Sequence, residues 1–355
     1  MTAAAGPEVG VPGVLGAAGG GPPDNDLERL RCAEVSRVAG QQLVGSAVAR
    51  DHIFVEVPLP WPHDWRAAPG YPASLRRTLK RLADSPGVSP KDHLILPDPA
   101  WSRPGLVRFL AYRLPCGPAA RMIRHEYLAP ADLIGDIARA VLDDTGDRRP
   151  FDAYRREDGE IRDLFVCTHG SRDACCSRFG IPIYQSLHRE AEVSNGRLRV
   201  WRTSHIGGHR FSPTLIEMPT GRYWGHLDSS MLHELAYRAT TPASLSAAYR
   251  GRALLAPLAQ PVEKALFFAG GWAWDDTFFD ATIEVDGRTY DAGQQPASPT
   301  DRAVVTISFI DRVKRVPVTV TADVVADGTT PTAGCGNPLG EVPRYRITAL
   351  HMAHR

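Results

Sequence analysis

The chain has 355 residues, enough for two or three domains of about 100–200 residues each and for a core that needs no disulfide staples. It is 43% hydrophobic and 23% charged, and 41 Lys and Arg against 40 Asp and Glu leave a formal net charge of +1. That balance gives nucleic acid no electrostatic footing, and no apolar run approaches the roughly 20 residues of a membrane span. The first residues also lack the basic and apolar regions of an export signal, so the expected setting is cytoplasmic, with neither nucleic acid nor membrane as partner.

Residues 1–25 carry Gly or Pro at close to half their positions and lack the apolar content to offset ordering entropy, which predicts a disordered tail. Asp26 is a good N-cap for a helix through LERLRCAEVSRVA. A series of elements then occurs twice. The first pass reads strand (HIFVEVP), helix (PASLRRTLKRLAD), strand (DHLILP), strand (GLVRFLAYRL), helix (APADLIGDIARAVLDD). The second reads strand (RDLFVCTH), helix (GIPIYQSLHREAEV), strand (GRLRVWRTS), strand (TLIEMP), helix (SSMLHELAYRA). β-Branched and aromatic runs mark the strands, and apolar i, i+3, i+4 spacing marks the helices. Two β-α-β-β-α units in series are what a duplicated thioredoxin-like α/β fold would look like; the alternative is coincidence, since short β and α elements alternate in most α/β proteins. Thr241-Pro242 predicts a helix start running through ASLSAAYRGRALLAP, bending near Pro257 and Pro261 before VEKALFFAGG. From Asp276 alternation takes over, with a hairpin turning at Asp286-Gly287, the same character over AVVTISFIDRVKRVPVTVTADVVADG, and RYRITAL at the end: a β-rich C-terminal unit of about 80 residues.

Six cysteines stand at Cys32, Cys116, Cys167, Cys175, Cys176 and Cys335, too sparse for a disulfide scaffold. Half of them fall within residues 167–176. Two segments hold candidate ligands. Cys167-Thr-His-Gly-Ser-Arg-Asp-Ala-Cys175-Cys176 leaves a buried strand and enters a helix, and His205-Ile-Gly-Gly-His209 lies in a loop between strands. Thiolate and imidazole together suit zinc or an iron–sulfur cluster. Eight residues between Cys167 and Cys176 are wide for a zinc knuckle, whereas a two-iron cluster spreads its ligands over two metals. Cys32, Cys116 and Cys335 have no ligand-like neighbours in sequence and read as small buried hydrophobes.

At LFVCTHGSRDACCSRFG, VWRTSHIGGHRFSPTLIEMPTG with GHLD, and RGRALLAPLAQPVEKAL, the sequence resembles the sucrase/ferredoxin-like proteins, over roughly residues 40–268. GSAVARDHIFVEVPLPWP is similar to that family's opening strand. The resemblance implies a thioredoxin-like ferredoxin domain with a [2Fe–2S] cluster held by Cys167, Cys176, His205 and His209. Of the adjacent cysteines, the family pattern favours Cys176 over Cys175 as the ligand. His169 reads as a supporting or surface group, and Arg172 and Arg210 either donate to the cluster or its loop or stay solvated. Four parts are expected: the tail 1–25, an N-terminal thioredoxin-like half over 26–150, the ferredoxin domain over 151–270, and the β-rich unit over 271–355.

Replacing two thiolates by neutral imidazoles raises a two-iron cluster towards the Rieske range of about −150 to +300 mV. The implied function is therefore electron transfer between donor and acceptor proteins that the sequence does not identify. The alternatives are a structural zinc protein using the same four residues, or a thiol oxidoreductase, the latter weakened because the chain has no Cys-x-x-Cys. Glycoside hydrolysis would need a carboxylate pair; Asp228 and Asp275-Asp276 are present, but no glycosidase motif surrounds them. A redox protein is favoured over a hydrolase.

Overall fold

The computed structural model describes residues 31–45, 48–83, 90–115, 117–157, 159–294, 300–333, 335 and 338–354. The expected tail, the first turns of the helix from Asp26, and Cys116 lie outside the described residues. After a short helix, α1 (Cys32–Val38), the parallel strands β1 (Asp51–Glu56) and β2 (Lys91–Ile95) are joined through α2 (Ala73–Ala83). β3 (Val107–Arg113) pairs antiparallel with β1, β4 (Ile123–Ala129) pairs antiparallel with β3, and α3 (Ile134–Leu142) follows. The short β5 (Arg155–Arg156) extends that edge.

The next stretch repeats the plan. β6 (Arg162–Cys167), α4 (Ala174–Glu192) and β7 (Leu198–Thr203) form a second parallel crossover. β8 (Leu215–Met218) then lies antiparallel beside β6 and β9 (Arg222–Trp224) beside β8, before α5 (Leu232–Tyr237). β2 and β7 meet antiparallel, so the two units share a single ten-stranded sheet, which β10 (Tyr249–Arg252) completes, in the order β10-β9-β8-β6-β7-β2-β1-β3-β4-β5. The chain is thus a mixed α/β protein. After α6 (Gln260–Gly270) it ends in a separate antiparallel sheet in the order β12-β11-β13-β14-β15, from β11 (Phe279–Val285), β12 (Arg288–Asp291), β13 (Arg302–Ile310), β14 (Pro317–Thr332) and β15 (Gly340–His354).

Strand alternation divides the core. Ile53, Val55 and Leu94 join a cluster with Leu75 of α2 and Ile134 and Ile137 of α3, whereas Phe54 and Ile95 face the other way. Phe54 stacks on Phe165 at 3.6 Å between ring centres and enters a larger cluster that runs through Leu187 of α4 to Ile307 and Val320 of the C-terminal sheet. The C-terminal sheet and the second unit therefore bury a common core. A charged network also ties the units together. Arg199 of β7 donates to both Asp163 of β6 (2.7 Å) and Glu126 of β4 (2.9 Å), all fully buried, while Trp201 and Tyr112 donate to Asp163.

Four local expectations change. IRHEYLA forms β4 and RYW forms β9, strands additional to those the sequence predicts. The helix over ASLSAAYRGRALLAP is replaced by a single turn at Pro242–Leu245 and the strand β10 (Tyr249–Arg252), because Gly251 sits at φ 108° and Tyr249–Arg252 completes the sheet beside β9. α6 starts at Gln260 with Pro261 in its first turn, so it does not bend there. α4 begins at Ala174, not at Gly180, because Asp173 caps it and accepts from the Cys175 N–H at 2.8 Å. Pro182 is then inside the helix on its exposed face, where the carbonyl it leaves unpaired can be solvated.

Candidate metal centre

β6 is buried on both faces and ends at Cys167, which pairs with Thr203 at the end of β7. That register brings the loop after β7 out beside Cys167 although His205 is 38 residues further on in sequence. The first unit clamps this exit: Ser204 N–H donates to the Leu94 carbonyl (3.0 Å), and Ser204 Oγ accepts from the Leu94 N–H (2.9 Å). On the other side the first turns of α4 cover the strand end. Cys176, Gly180, Ile183 and Leu187 lie on the helix's buried face, and a Cβ at Gly180 would overlap the Cys167 carbonyl oxygen.

The result is a tight group: Cys167 Sγ, Cys176 Sγ and a His205 ring nitrogen all lie within 4.8 Å of one another. Cys176 Sγ is 3.5 Å from His205 Nδ1. Burial opposes ionisation of Cys167, but hydrogen bonds from the Cys176 thiol and from His205 hold it well below the usual thiol range. The same sulfur–sulfur hydrogen bond, with burial, pushes Cys176 well above it. The two shifts run in opposite directions, so thiolate character falls on Cys167, close to the N-terminus of α4, whose dipole favours negative charge.

His209 stands apart from that group. Its ring centre is 5.7 Å from that of His205, and its buried Nε2 makes no hydrogen bond, lying 3.5 Å from Asp173 Oδ2. Burial lowers its pKa, against the pull of Asp173. The loop that carries both histidines depends on its glycines: Gly207 and Gly208 have φ of 86° and 72°, and a Cβ on Gly208 would collide with the Arg250 guanidinium.

The supporting residues differ in part from expectation. His169 is buried: its Nδ1 accepts from the His205 N–H (3.2 Å), which leaves Nε2–H to donate to the Pro62 carbonyl (2.9 Å). Neither arginine reaches the sulfurs. Arg172 turns to the His63 ring (3.1 Å), and Arg210 donates to Gln41 (2.8 Å). His93 belongs to neither ligand segment of the sequence, yet lies close to the group. Burial lowers its pKa to about 4, its field reaches Cys167 and His205, and neither ring nitrogen has a hydrogen-bond partner. Its place in DHLILP, on the Ile95 face of a buried strand, was the available signal.

Cys32 and Cys335 are not isolated hydrophobes. Both converge on Cys175. The carboxylates weighed for hydrolysis serve the scaffold: Asp275 is buried against Arg222 and Arg238, and Asp228 caps the turn at Ser229–Met231.

Two soft sulfurs and an imidazole within a few ångströms suit zinc or an iron–sulfur group and not a hard cation such as magnesium, and the orphaned His209 Nε2 nearby offers a further donor. The chain is thus an α/β protein that gathers thiol and imidazole donors at one end of its sheet. It belongs to the sucrase/ferredoxin-like family, whose model matches residues 43–251, more than half of its length. A solved thioredoxin-like [2Fe-2S] ferredoxin from Aquifex aeolicus is similar over 23% of this chain and 81% of its own, at 15% identity and a TM-score of 0.21. No curated protein matches the chain. Among the described residues, no helix is long and apolar enough to cross a membrane.

Proposed function

We propose that the protein is an electron-transfer protein that holds a [2Fe–2S] cluster through Cys167, Cys176, His205 and His209. The observation that carries this reading is the convergence of both sulfurs and the His205 nitrogen within 4.8 Å, in a chain of this family. Bound there, the cluster would supply reversible one-electron transfer. Cys167 is already biased towards the thiolate a metal requires, and Cys176 would release its proton on ligation. His169 orients the His205 backbone. Trp61 and Trp65 set their edges against His169 and Ser171 donates to the Trp61 carbonyl, so the segment after β1 shields the ligand loop from water.

The test is the visible spectrum, iron and acid-labile sulfide of freshly purified protein. A coloured protein with iron and sulfide in equal amounts is expected. Cys167→Ser and Cys176→Ser should lose both, and Cys175→Ser should keep them. A colourless protein with zinc bound by the same four residues would replace this reading with a structural zinc site. Retention in Cys176→Ser with loss in Cys175→Ser would assign the neighbouring sulfur.

A further inference from the structure

Three cysteines that the proposed cluster does not use come together on the other side of the α4 N-terminus. Cys32 of α1, Cys175 of α4 and Cys335, between β14 and β15, meet with the Asp173 carboxylate so that all four ligand atoms lie within 4.8 Å of one another. Cys175 Sγ is 3.5 Å from Cys32 Sγ and 3.4 Å from Cys335 Sγ. They come from positions 143 and 160 residues away in sequence, so nothing local forces the meeting. From these residues we infer a second metal site, in which one zinc ion is bound by Cys32, Cys175, Cys335 and Asp173.

The chemistry of the set argues for the ion. Three thiols and a carboxylate match a closed four-coordinate structural site, and thiolate donors select a soft or borderline cation over magnesium or calcium. With zinc–sulfur bonds of about 2.3 Å, tetrahedral ligation sets sulfurs about 3.8 Å apart, whereas a disulfide needs about 2.05 Å. The sulfur separations of 3.4 and 3.5 Å lie close to the first figure and far from the second. Number points the same way: a disulfide would join two of the three thiols and strand the third, while an ion uses all of them. Binding releases the protons of the three thiols, and the N-terminal end of α4 offsets part of the negative charge that remains.

The site has a structural consequence. The tip between β14 and β15 already reaches back across the second unit, since His209 hydrogen-bonds the backbone at Ala333 and Thr330 Oγ1 donates to the Gln42 carbonyl. Both Ala333 and Cys335 hold φ values of 64° and 53°, which non-glycine residues adopt at a cost. An ion at Cys335 would pin that tip to α1 and to the helix turn that presents Cys176, closing very long loops of chain.

The test uses the full-length protein with elemental analysis for zinc and iron. Wild type should contain one zinc per chain in addition to its iron. Cys32→Ser, Cys175→Ser and Cys335→Ser should lose the zinc and keep the visible spectrum, whereas Cys167→Ser should lose the iron and keep the zinc. A second measurement covers variants that fold poorly. In wild type, Cys32, Cys175 and Cys335 should resist alkylation and become reactive when a zinc chelator is added, with peptide mapping to identify them. Zinc absent from wild type, zinc retained in Cys32→Ser and Cys335→Ser, or a mapped disulfide between any two of the three would overturn the inference. Because zinc and iron are read separately, failure here is distinct from failure of the proposed cluster.

Discussion

Gly180 packs its backbone directly against the carbonyl oxygen of Cys167, leaving no room for a Cβ. One helical turn separates Gly180 from Cys176 on the same face, so this contact fixes how near the two sulfurs stand. Gly180→Ala should force α4 away from β6. The expected cost is about 1–3 kcal/mol of overpacking. The more telling result is the iron content, which should fall further than in a control such as Ser186→Ala, on the same helix away from the site. Full iron with unchanged stability would show that the helix is free to shift.

His169 links two backbone groups: it receives the His205 N–H and donates to the Pro62 carbonyl. Groups that orient metal-binding residues typically contribute about 10–100-fold to metal affinity. His169→Ala should therefore release iron to a chelator about 10–100-fold faster than wild type, with a visible spectrum of similar shape. A changed spectral shape would mean that His169 is itself a ligand.

Arg199 is the sole described cation hydrogen-bonded to both buried carboxylates, Asp163 and Glu126, at the junction of the two units. Glu126 also holds Arg108, but Asp163 has no other described cation, so removing Arg199 leaves that buried carboxylate uncompensated, at about 3–5 kcal/mol. Arg199→Met should lower the urea midpoint accordingly. Burial opposes ionisation of Asp163, but Arg199 holds its pKa below the usual carboxylate value. Its contribution is therefore complete above the unfolded pKa and lost as pH falls through the folded one. Wild type should accordingly weaken in acid more steeply than Arg199→Met. Parallel pH profiles for the two proteins would reject this coupling.

The two β-α-β-β patterns were legible because buried strands such as LFVC and amphipathic helices such as SLRRTLKRLA announce themselves locally. β10 was not, since Ala243–Pro257 has helix-forming composition and only the edge of β9 makes Tyr249–Arg252 a strand. The candidate ligands Cys167, Cys176, His205 and His209 stood out in the sequence through their spacing and family pattern, and the register of β6 against β7 explains why the two segments that carry them meet. The convergence of Cys32 and Cys335 on Cys175 was invisible for the opposite reason. Each stands alone in sequence, and only the return of the β14–β15 tip to α1 brings them together. Buried charges such as Arg199 and Asp163 likewise look like surface residues until both neighbours in the sheet are known.

The opposite pKa shifts of Cys167 and Cys176 make the metal-free protein sensitive to pH in a way that can be assigned to these residues. The folded-state pKa of Cys167 lies well below the usual thiol value near 8.5, because the hydrogen bonds from Cys176 and His205 outweigh burial. Between those two values the folded chain holds a thiolate where the unfolded chain holds a thiol, so stability rises with pH, by about 1.4 kcal/mol per unit at most for one proton. Cys176 works in the opposite sense. Its raised pKa keeps it protonated when the unfolded chain has lost the proton, so stability falls as pH climbs above the ordinary thiol value. Urea unfolding of chelator-treated protein should therefore show a maximum close to that value. Subtracting the Cys167→Ser profile removes contributions from the buried histidines and from the Cys32, Cys175 and Cys335 group. The difference should retain the rising limb, and the thiolate absorbance at neutral pH should be lower in Cys167→Ser than in wild type. A difference profile that is flat below the ordinary thiol pKa would mean that Cys167 stays protonated in the folded chain.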